Sequence, residues 1–520
     1  MVFVPDPPAT AAMFGATGGF PRQVPSDAFA AALSFLPWSQ QLILLSVFVL
    51  AGWGIARLVP AGLPARLTAV AFYLWNPYVA ERLLLGHWAL LLGYAGLPWV
   101  LDAVLRRRPR ALAAALLPAA IGGFAAMNIT ALVLLGGLAA VRGRGAARAL
   151  PVFGAMALPW LIPALLGASG TRTDPLGVDL FAARADTPFG ALGSLLSLGG
   201  LWNAETVPPG YSPFLPSLLR LLVSGAALTA LALHRSPLAR AALYSGALGL
   251  SLACLGITAP GRALLRTLID LWPAFGALRD GQLYLAPLAL ACTLGLSRLT
   301  TPLHTSPTAE PGETGSPAGR TTRVGAETDE TNSPAERTTR AGAEPSETDS
   351  PGGWTTRVGA GAWVALVPVL LLPTLAWGVS GRLEAVGYPA DWLAAQRMIN
   401  ADPVGGKALS LPWGAYRRPE WNGGRAVLDP WPRMLARRVV WNDGLRVGGR
   451  ALAQEDPLAV RVDRILRSAG EPAAPLADAG FRYVVISKDG TEEAWRSRLK
   501  NAKIMLEGQT LLVYLLDHHG

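Results

Sequence analysis

The chain is a succession of apolar runs broken by short charged clusters. The runs fall at 41–60, 67–78, 86–105, 111–124, 127–141, 149–167, 213–233, 238–257, 282–299 and 361–379. Several approach the roughly 20 residues that a helix needs to cross a bilayer. This pattern predicts an all-α polytopic membrane bundle of about ten helices. The most informative stretch is Arg66 to Arg110. It is apolar for most of its length, yet Glu81, Arg82 and His87 sit in its middle and RRRPR closes it. The break WNPYVAER is too short for a soluble loop of any size. A membrane hairpin with ionisable groups at its turn accounts for both features.

Composition agrees with a membrane class. The 520 residues are 51% hydrophobic and 15% charged, where a soluble chain carries about 25% charge. The 57 Gly and 43 Pro are better tolerated by membrane helices than by soluble ones. A net charge of +10 does not mark a nucleic-acid binder here, because no continuous basic stripe exists. The four lysines (Lys407, Lys488, Lys500, Lys503) lie near the end, and the arginines gather between apolar runs. Cys254 and Cys292 lie inside apolar runs and read as small buried hydrophobes.

The arginines also orient the chain. Clusters at Arg57/Arg66, Arg106–Arg110, Arg142/Arg144/Arg148 and His234/Arg235/Arg240 follow every second run. Such loops face the cytoplasm. Both termini then lie outside, and residues 1–40, Pro/Gly-rich and without the pattern of a signal peptide, read as an extracytoplasmic loop. The expectation is of a first helix preceding Met1, hence about eleven spans in the full protein.

Two further segments follow the bundle at 41–300. Residues 301–357 carry a 17-residue repeat, SPAGRTTRVGAETDETN then SPAERTTRAGAEPSETD. It lacks the apolar face a solenoid needs and reads as a disordered cytoplasmic linker. After a last helix at 361–379, residues 380–520 read as an extracytoplasmic α/β domain. Asp391–Asn400 predicts a helix, and Asp456-Pro457 is a good helix start for 457–469. LSLPW, RAVLD, RYVVIS (482–487) and LLVYLL (511–516) predict strands.

Candidate chemistry collects on the predicted outer face. It comprises Asp6 and Asp27 in the first loop, Glu81, Arg82 and His87 in the hairpin turn, and Asp174, Asp179, Asp186 and Glu205 in 168–212. Arg279 and Asp280 stand where the chain re-enters the membrane. Ionisable groups near a membrane are costly, so each invites a functional reading. Carboxylates serve as general bases or hold a divalent cation, and arginine binds phosphate bidentately. Each also has a plainer reading. Glu81-Arg82 can cap the hairpin as an ion pair, His87 beside Trp88 can anchor at the interface, and Arg262 and Arg266 can meet head groups. No cofactor is required by the sequence, a divalent cation is compatible with it, and no G-x-x-x-x-G-K-[ST] loop occurs.

WNPYVAERLLLGHWALLLGYAGLPW resembles a segment of large actinobacterial membrane proteins related to GT-C-type glycosyltransferases. So do VFVPDPP, ARADTPFGALGSLLSLGGLWN (183–203) and LRDGQLYLAP. The resemblance covers most of 1–300. It implies a polyprenyl-phosphate-sugar donor, an active site on the outer face, and a catalytic acid in the first outer loop, where the match is Asp6. By position alone, Asp186 and Asp280 are further catalytic candidates.

The expectation is therefore a multi-pass bacterial plasma-membrane glycosyltransferase acting on a cell-envelope glycan or glycolipid. Asp6 would be its base, Arg279 its phosphate clamp with Asp280 as orienter, and Glu81, Arg82 and His87 would line the site. Trp413, Tyr416, Trp421 and Trp431 would stack on acceptor sugar or simply pack the C-terminal domain. The alternatives are a non-catalytic scaffold or a transporter of lipid-linked glycans. A transporter would need charges at midplane depth and internal repeats, and neither is evident.

Overall fold

A computed structural model describes residues 3–16, 23–141, 147–167, 174–300, 364–447 and 449–516. The repeat at 301–357 lies outside the described residues. After a short helix α1 (Ser26–Ala32), the bundle runs α2 (Ser39–Leu58), α3 (Leu63–Leu74), α4 (Pro77–Leu84), α5 (Trp88–Leu105), α6 (Pro109–Gly122), α7 (Phe124–Ala140) and α8 (Ala149–Gly167). It continues with α9 (Phe214–Leu233), α10 (Pro237–Leu255), α11 (Ala259–Leu271) and α12 (Ala286–Leu299).

Six helices among the described residues are long and apolar enough to cross a membrane: α2, α5, α8, α9, α10 and Gly281–Leu299. A seventh is present if the bent pair Val364–Leu371 and Pro373–Gly381 is one span. The sequence pattern had predicted about ten. The difference arises because an apolar run does not set helix length. Here α3 has 12 residues, α6 has 14 and α7 has 17, and the last run bends by 76°. Proline ends that run because it lacks the N–H that would continue the ladder. The carbonyls at the break are not left bare. Leu371 accepts from Arg220 Nη1 (2.8 Å) and Leu372 from Trp75 Nε1 (2.8 Å).

Helix α5 and the helix Gly281–Leu299 form the centre, and α8 lies at the periphery with Leu158, Ile162, Leu165 and Leu166 exposed. Small residues let the central helices approach, which matters where lipid removes the hydrophobic drive between helices. A Cβ on Gly93 of α5 would fall 2.7–2.9 Å from Ala126 of α7, and one on Gly295 of α12 would fall 1.9 Å from Ala227 O of α9. Gly295→Ala is expected to lower the unfolding temperature in detergent, since overpacking costs about 1–3 kcal/mol. Gly225→Ala on α9, with nothing within 4 Å, is the control and should leave it unchanged. Equal behaviour of the two variants would count against this packing.

The two ends of the bundle differ. At one end Leu105, Arg107, Val141, Pro237 and Arg240 line a single cleft, and Val59, Leu231, Leu238, Leu294 and Arg298 line a small cavity. Arg107 and Arg240, one from each of the clusters at 106–110 and 234–240, thus share an end. The opposite end carries α4, the start of α5 and Asp280, and the C-terminal domain docks there. Its ties are Arg279–Glu455 (3.4 Å), Arg433–Asp27 (3.1 Å), Asp174 Oδ2 accepting from Ala453 N (3.2 Å), and Arg418–Glu205.

In the C-terminal domain, α13 (Ala390–Ala401) precedes strands β1 (Lys407–Leu411), β2 (Tyr416–Arg417), β3 (Val427–Leu428), β4 (Val439–Val440), β5 (Arg446–Val447) and β6 (Arg450–Ala451). Helix α14 (Pro457–Arg467) and strands β7 (Phe481–Ser487), β8 (Lys503–Glu507) and β9 (Leu511–Leu515) follow. The main sheet has the order β4-β1-β7-β9-β8, with β4, β1 and β7 parallel and β8 and β9 antiparallel to their neighbours. Asp456 caps α14 by accepting from Leu458 N (2.9 Å). β7 and β9 are buried on both faces, which is why they read as continuous apolar runs. One face packs Leu409, Val484, Ile486 and Tyr514 on α14, and the other packs Tyr483, Val485 and Val513 on Trp392 and Trp431. Trp431 is fully buried and stacks on Trp392 at 4.7 Å. It therefore packs the core, while Tyr416 remains exposed.

Candidate functional site

The site is built around the break between α3 and α5. Asn76 stops α3 and starts α4. Its Oδ1 accepts from Val79 N (3.1 Å), and its Nδ2 donates to the carbonyls of Phe72 (3.0 Å) and Tyr73 (2.9 Å), groups that the end of α3 would leave open. Pro77 follows at the first helical position. The turn foreseen from WNPYVAER is thus a two-turn helix, and it is buried rather than exposed. Glu81 and Arg82 are both 0% accessible. Gly86, at φ 75°, ends α4 in the left-handed region. It turns the chain so that His87 N reaches Arg82 O (2.9 Å).

Arg82 grips Asp280 with both ends of its guanidinium, Nη1 to Oδ2 at 2.8 Å and Nη2 to Oδ1 at 3.1 Å. The two residues are 198 positions apart in the chain. Nη1 also donates to His87 Nδ1 (3.2 Å), and Nη2 donates to Gln282 Oε1. Gln282 then donates its amide to Glu81 Oε2 (2.9 Å). A carboxylate, an arginine, an amide and a second carboxylate form one chain of hydrogen bonds. Its outer end is Asp280, with 20% side-chain exposure. Its inner end is Glu81, whose Oε1 has no hydrogen-bond partner among the described residues.

Behind Glu81 lies a second, half-buried carboxyl. Asp186 Oδ2 accepts from Gly200 N (2.6 Å), while its Oδ1 is buried and unpartnered. Tyr211 packs beside it, and its ring lies 4.2 Å from the Arg220 guanidinium. A Cβ on Gly199 would meet both Tyr211 Oη and Asp186 Oδ2. Asp186 and Arg220 both act electrostatically on Glu81.

These environments set the carboxyls apart. Burial, reinforced by Asp186, pushes the Glu81 carboxyl well above its ordinary range. Burial likewise raises Asp186. Asp280 behaves differently: burial opposes its ionisation, but the Arg82 guanidinium outweighs burial and holds it below the usual carboxylate range. Burial, helped by the charge of Arg82, pushes the His87 imidazole down to about 4. Asp280 is therefore the carboxyl of the cluster held toward its anionic form, and it stands beside an imidazole held toward its neutral form. Carboxyls poised in opposite directions are a common property of sites that move protons.

Of the seven sequence candidates, Glu81, Arg82, His87 and Asp280 come together, with Asp186 next to Glu81. Asp6 and Arg279 are not part of that cluster. Asp6 is exposed, at φ 43°. Its segment bridges the two parts of the protein, with Phe3 5.4 Å from the Trp88 ring and Val4 buried in the core of the C-terminal domain. Arg279 is not the partner of Asp280. It sits over Phe181 (5.2 Å), donates to Gly276 O (2.9 Å) and pairs with Glu455. The reason is local: Asp280 separates two 3-10 turns, Pro273–Arg279 and Gly281–Leu285, so the two side chains leave in different directions. Arg262 and Arg266 are tied to Asp179, at 3.3 and 2.6 Å.

The sequence reading missed Gln282, Tyr211 and Arg220. Arg220 carried a usable signal, a charge inside the apolar run 213–233. Gln282 carried none. Among the described residues, no group of three or more His, Cys, Asp or Glu side chains converges as a metal site.

No family model and no curated protein sequence matches the chain. Its fold does have solved counterparts. The cryo-electron microscopy structure of the arabinofuranosyltransferase AftD from mycobacteria aligns with a TM-score of 0.52 and 17% identity, over 95% of this chain and 35% of AftD. Two structures of an AftD mutant align at TM-scores of 0.49 and 0.45, with 18% and 16% identity, over 95% of this chain and 37% and 36% of theirs. The first likeness is one of fold. This chain spans about a third of AftD's length. The fold and the apolar helices together make it a multi-pass membrane protein, a helical bundle with a C-terminal sheet-containing region.

Proposed function

We propose that the chain is a membrane glycosyltransferase of GT-C type. It transfers a sugar, by analogy with AftD an arabinofuranosyl residue, from a polyprenyl-phosphate carrier to a cell-envelope glycan. The observation that carries this reading is the desolvated Arg82–Asp280 pair at the end of the bundle opposite the arginine clusters, under the C-terminal domain. By the positive-inside rule that end is extracytoplasmic, where a lipid-linked sugar and a wall glycan meet.

In this reading Asp6 takes the proton of an acceptor hydroxyl. The hydroxyl oxygen bonds to the anomeric carbon, the bond from that carbon to the phosphate oxygen breaks, and polyprenyl phosphate departs with the bonding pair. Arg279 faces the leaving phosphate. Its 3.4 Å contact with Glu455 is looser than the 2.8 Å Arg82–Asp280 bond, so it can exchange partners. Glu81, Arg82, His87 and Asp280 form the wall that fixes the pocket's shape and charge.

The test is transfer by membrane vesicles containing the chain, supplied with radiolabelled polyprenyl-phosphate arabinofuranose and a short arabinan oligosaccharide. Lengthened, labelled oligosaccharide is the expected product. No label incorporated from this donor or from its hexose counterparts, with folded protein present, would overturn the assignment.

A further inference from the structure

The first loop and the C-terminal domain lie at opposite ends of the sequence but are built into one another. Gln396 of α13 donates from Nε2 to the carbonyls of Pro5 (3.0 Å) and Asp6 (3.1 Å). Gln396 is itself buried, so these two bonds replace water it has lost. Val4 sits in the core cluster formed by Trp392, Trp431, Met434 and Val513. Farther along the chain, Asp27 in the first turn of α1 accepts from Arg433 Nε at 3.1 Å, with side-chain exposures of only 6% and 12%. A pair this enclosed is costly to break, because one charge would remain buried alone.

Between these anchors the chain does something unusual. Asp6 lies at φ 43°, flanked by Pro5, Pro7 and Pro8. A non-glycine residue there costs energy and persists only where its surroundings over-determine it. The outcome is a carboxylate held outward on a stiff segment. Three residues away, Phe3 packs on Trp88, the residue after His87. At most about 10 Å of chain therefore separates Asp6 from a contact that adjoins the charged cluster.

We propose that Gln396 and Arg433 of the C-terminal domain are positioning residues that hold the first loop so that the Asp6 carboxylate is presented at the rim of the Arg82–Asp280 cluster. The domain is then a working part of the site, because Gln396 and the core around Val4 hold the segment on which Asp6 stands. This rests on the reading of Asp6 as the base, and the experiment separates the two.

Gln396→Met and Arg433→Gln are made in the full chain, with Arg433→Lys as the conservative variant. Hydrogen exchange of residues 3–16 and initial rates of transfer are measured on each. Both disruptive variants are expected to speed exchange of the loop. They should also lower kcat at least tenfold with KM for the lipid donor within twofold, the signature of a misplaced group rather than lost binding. Arg433→Lys should recover most of the rate. Unchanged exchange in both disruptive variants overturns the clamp whether or not the parent chain transfers sugar. Faster exchange with undiminished kcat overturns its role in the reaction. A parent chain that transfers nothing, combined with faster exchange in the variants, sinks the glycosyltransferase reading and leaves the anchoring of the loop established.

Discussion

Arg82→Met is expected to destabilise the protein by about 3–5 kcal/mol, the cost of removing one partner from a buried pair. Arg82 is fully buried, and its guanidinium satisfies both oxygens of Asp280, the Gln282 amide oxygen and His87 Nδ1. Methionine fills similar space but supplies no donor. Asp280 would then be enclosed without a counter-charge, and Gln282 would lose the partner that orients its amide toward Glu81. The pH dependence should change with it. The Asp280 carboxyl is held below its ordinary range, so its pair contributes stability above the unfolded pKa that is lost as pH falls through the folded one. In Arg82→Met that carboxyl shifts upward instead, and the variant should gain relative stability as the medium is acidified. Arg82→Lys should fall between, because an ammonium cannot reproduce the bidentate geometry. Adding Asp280→Leu to Arg82→Met should restore part of the loss, since both partners are then apolar. Thermal and denaturant unfolding in detergent measure all three variants. A change within about 0.5 kcal/mol for Arg82→Met, the range of ordinary surface substitutions, would rule out the network as a structural keystone.

Asp6→Asn should do the reverse, removing activity without touching the fold. The side chain is exposed, and asparagine also tolerates the left-handed backbone at this position. Loss of a general base lowers the rate about 10²–10⁴-fold, equivalent to about 2.7–5.4 kcal/mol of barrier. The effect should appear in kcat, with the midpoint of unfolding unchanged. The vesicle assay reads the first and thermal unfolding the second. Transfer by Asp6→Asn at the parent rate would move the base elsewhere, with Asp280 next in line as the ionised carboxyl of the cluster.

Much of the scaffold was legible in the sequence. The apolar runs located the bundle, Asn76-Pro77 marked its break, and Asp456-Pro457 started α14 where it was expected. RYVVIS and LLVYLL became neighbouring strands. Each of these signals is local, a matter of backbone geometry or of side-chain periodicity over one or two turns. The length of each helix was less legible, because an apolar run continues through a bend such as that before Pro373.

The sequence by itself determined that this is a membrane bundle with an appended α/β domain and that Glu81, Arg82, His87 and Asp280 are charges in costly places. Only the tertiary structure decided how those charges are shared. Sequence proximity favoured Arg279 as the partner of Asp280, yet Arg82 holds it from 198 residues away. Gln396 reaches back across 390 positions to the Asp6 carbonyl. Hydrogen bonds and ion pairs act over about 3 Å of space regardless of chain separation, and which groups come within that distance is set by helix packing and sheet order. Neither composition nor periodicity encodes those two things in readable form.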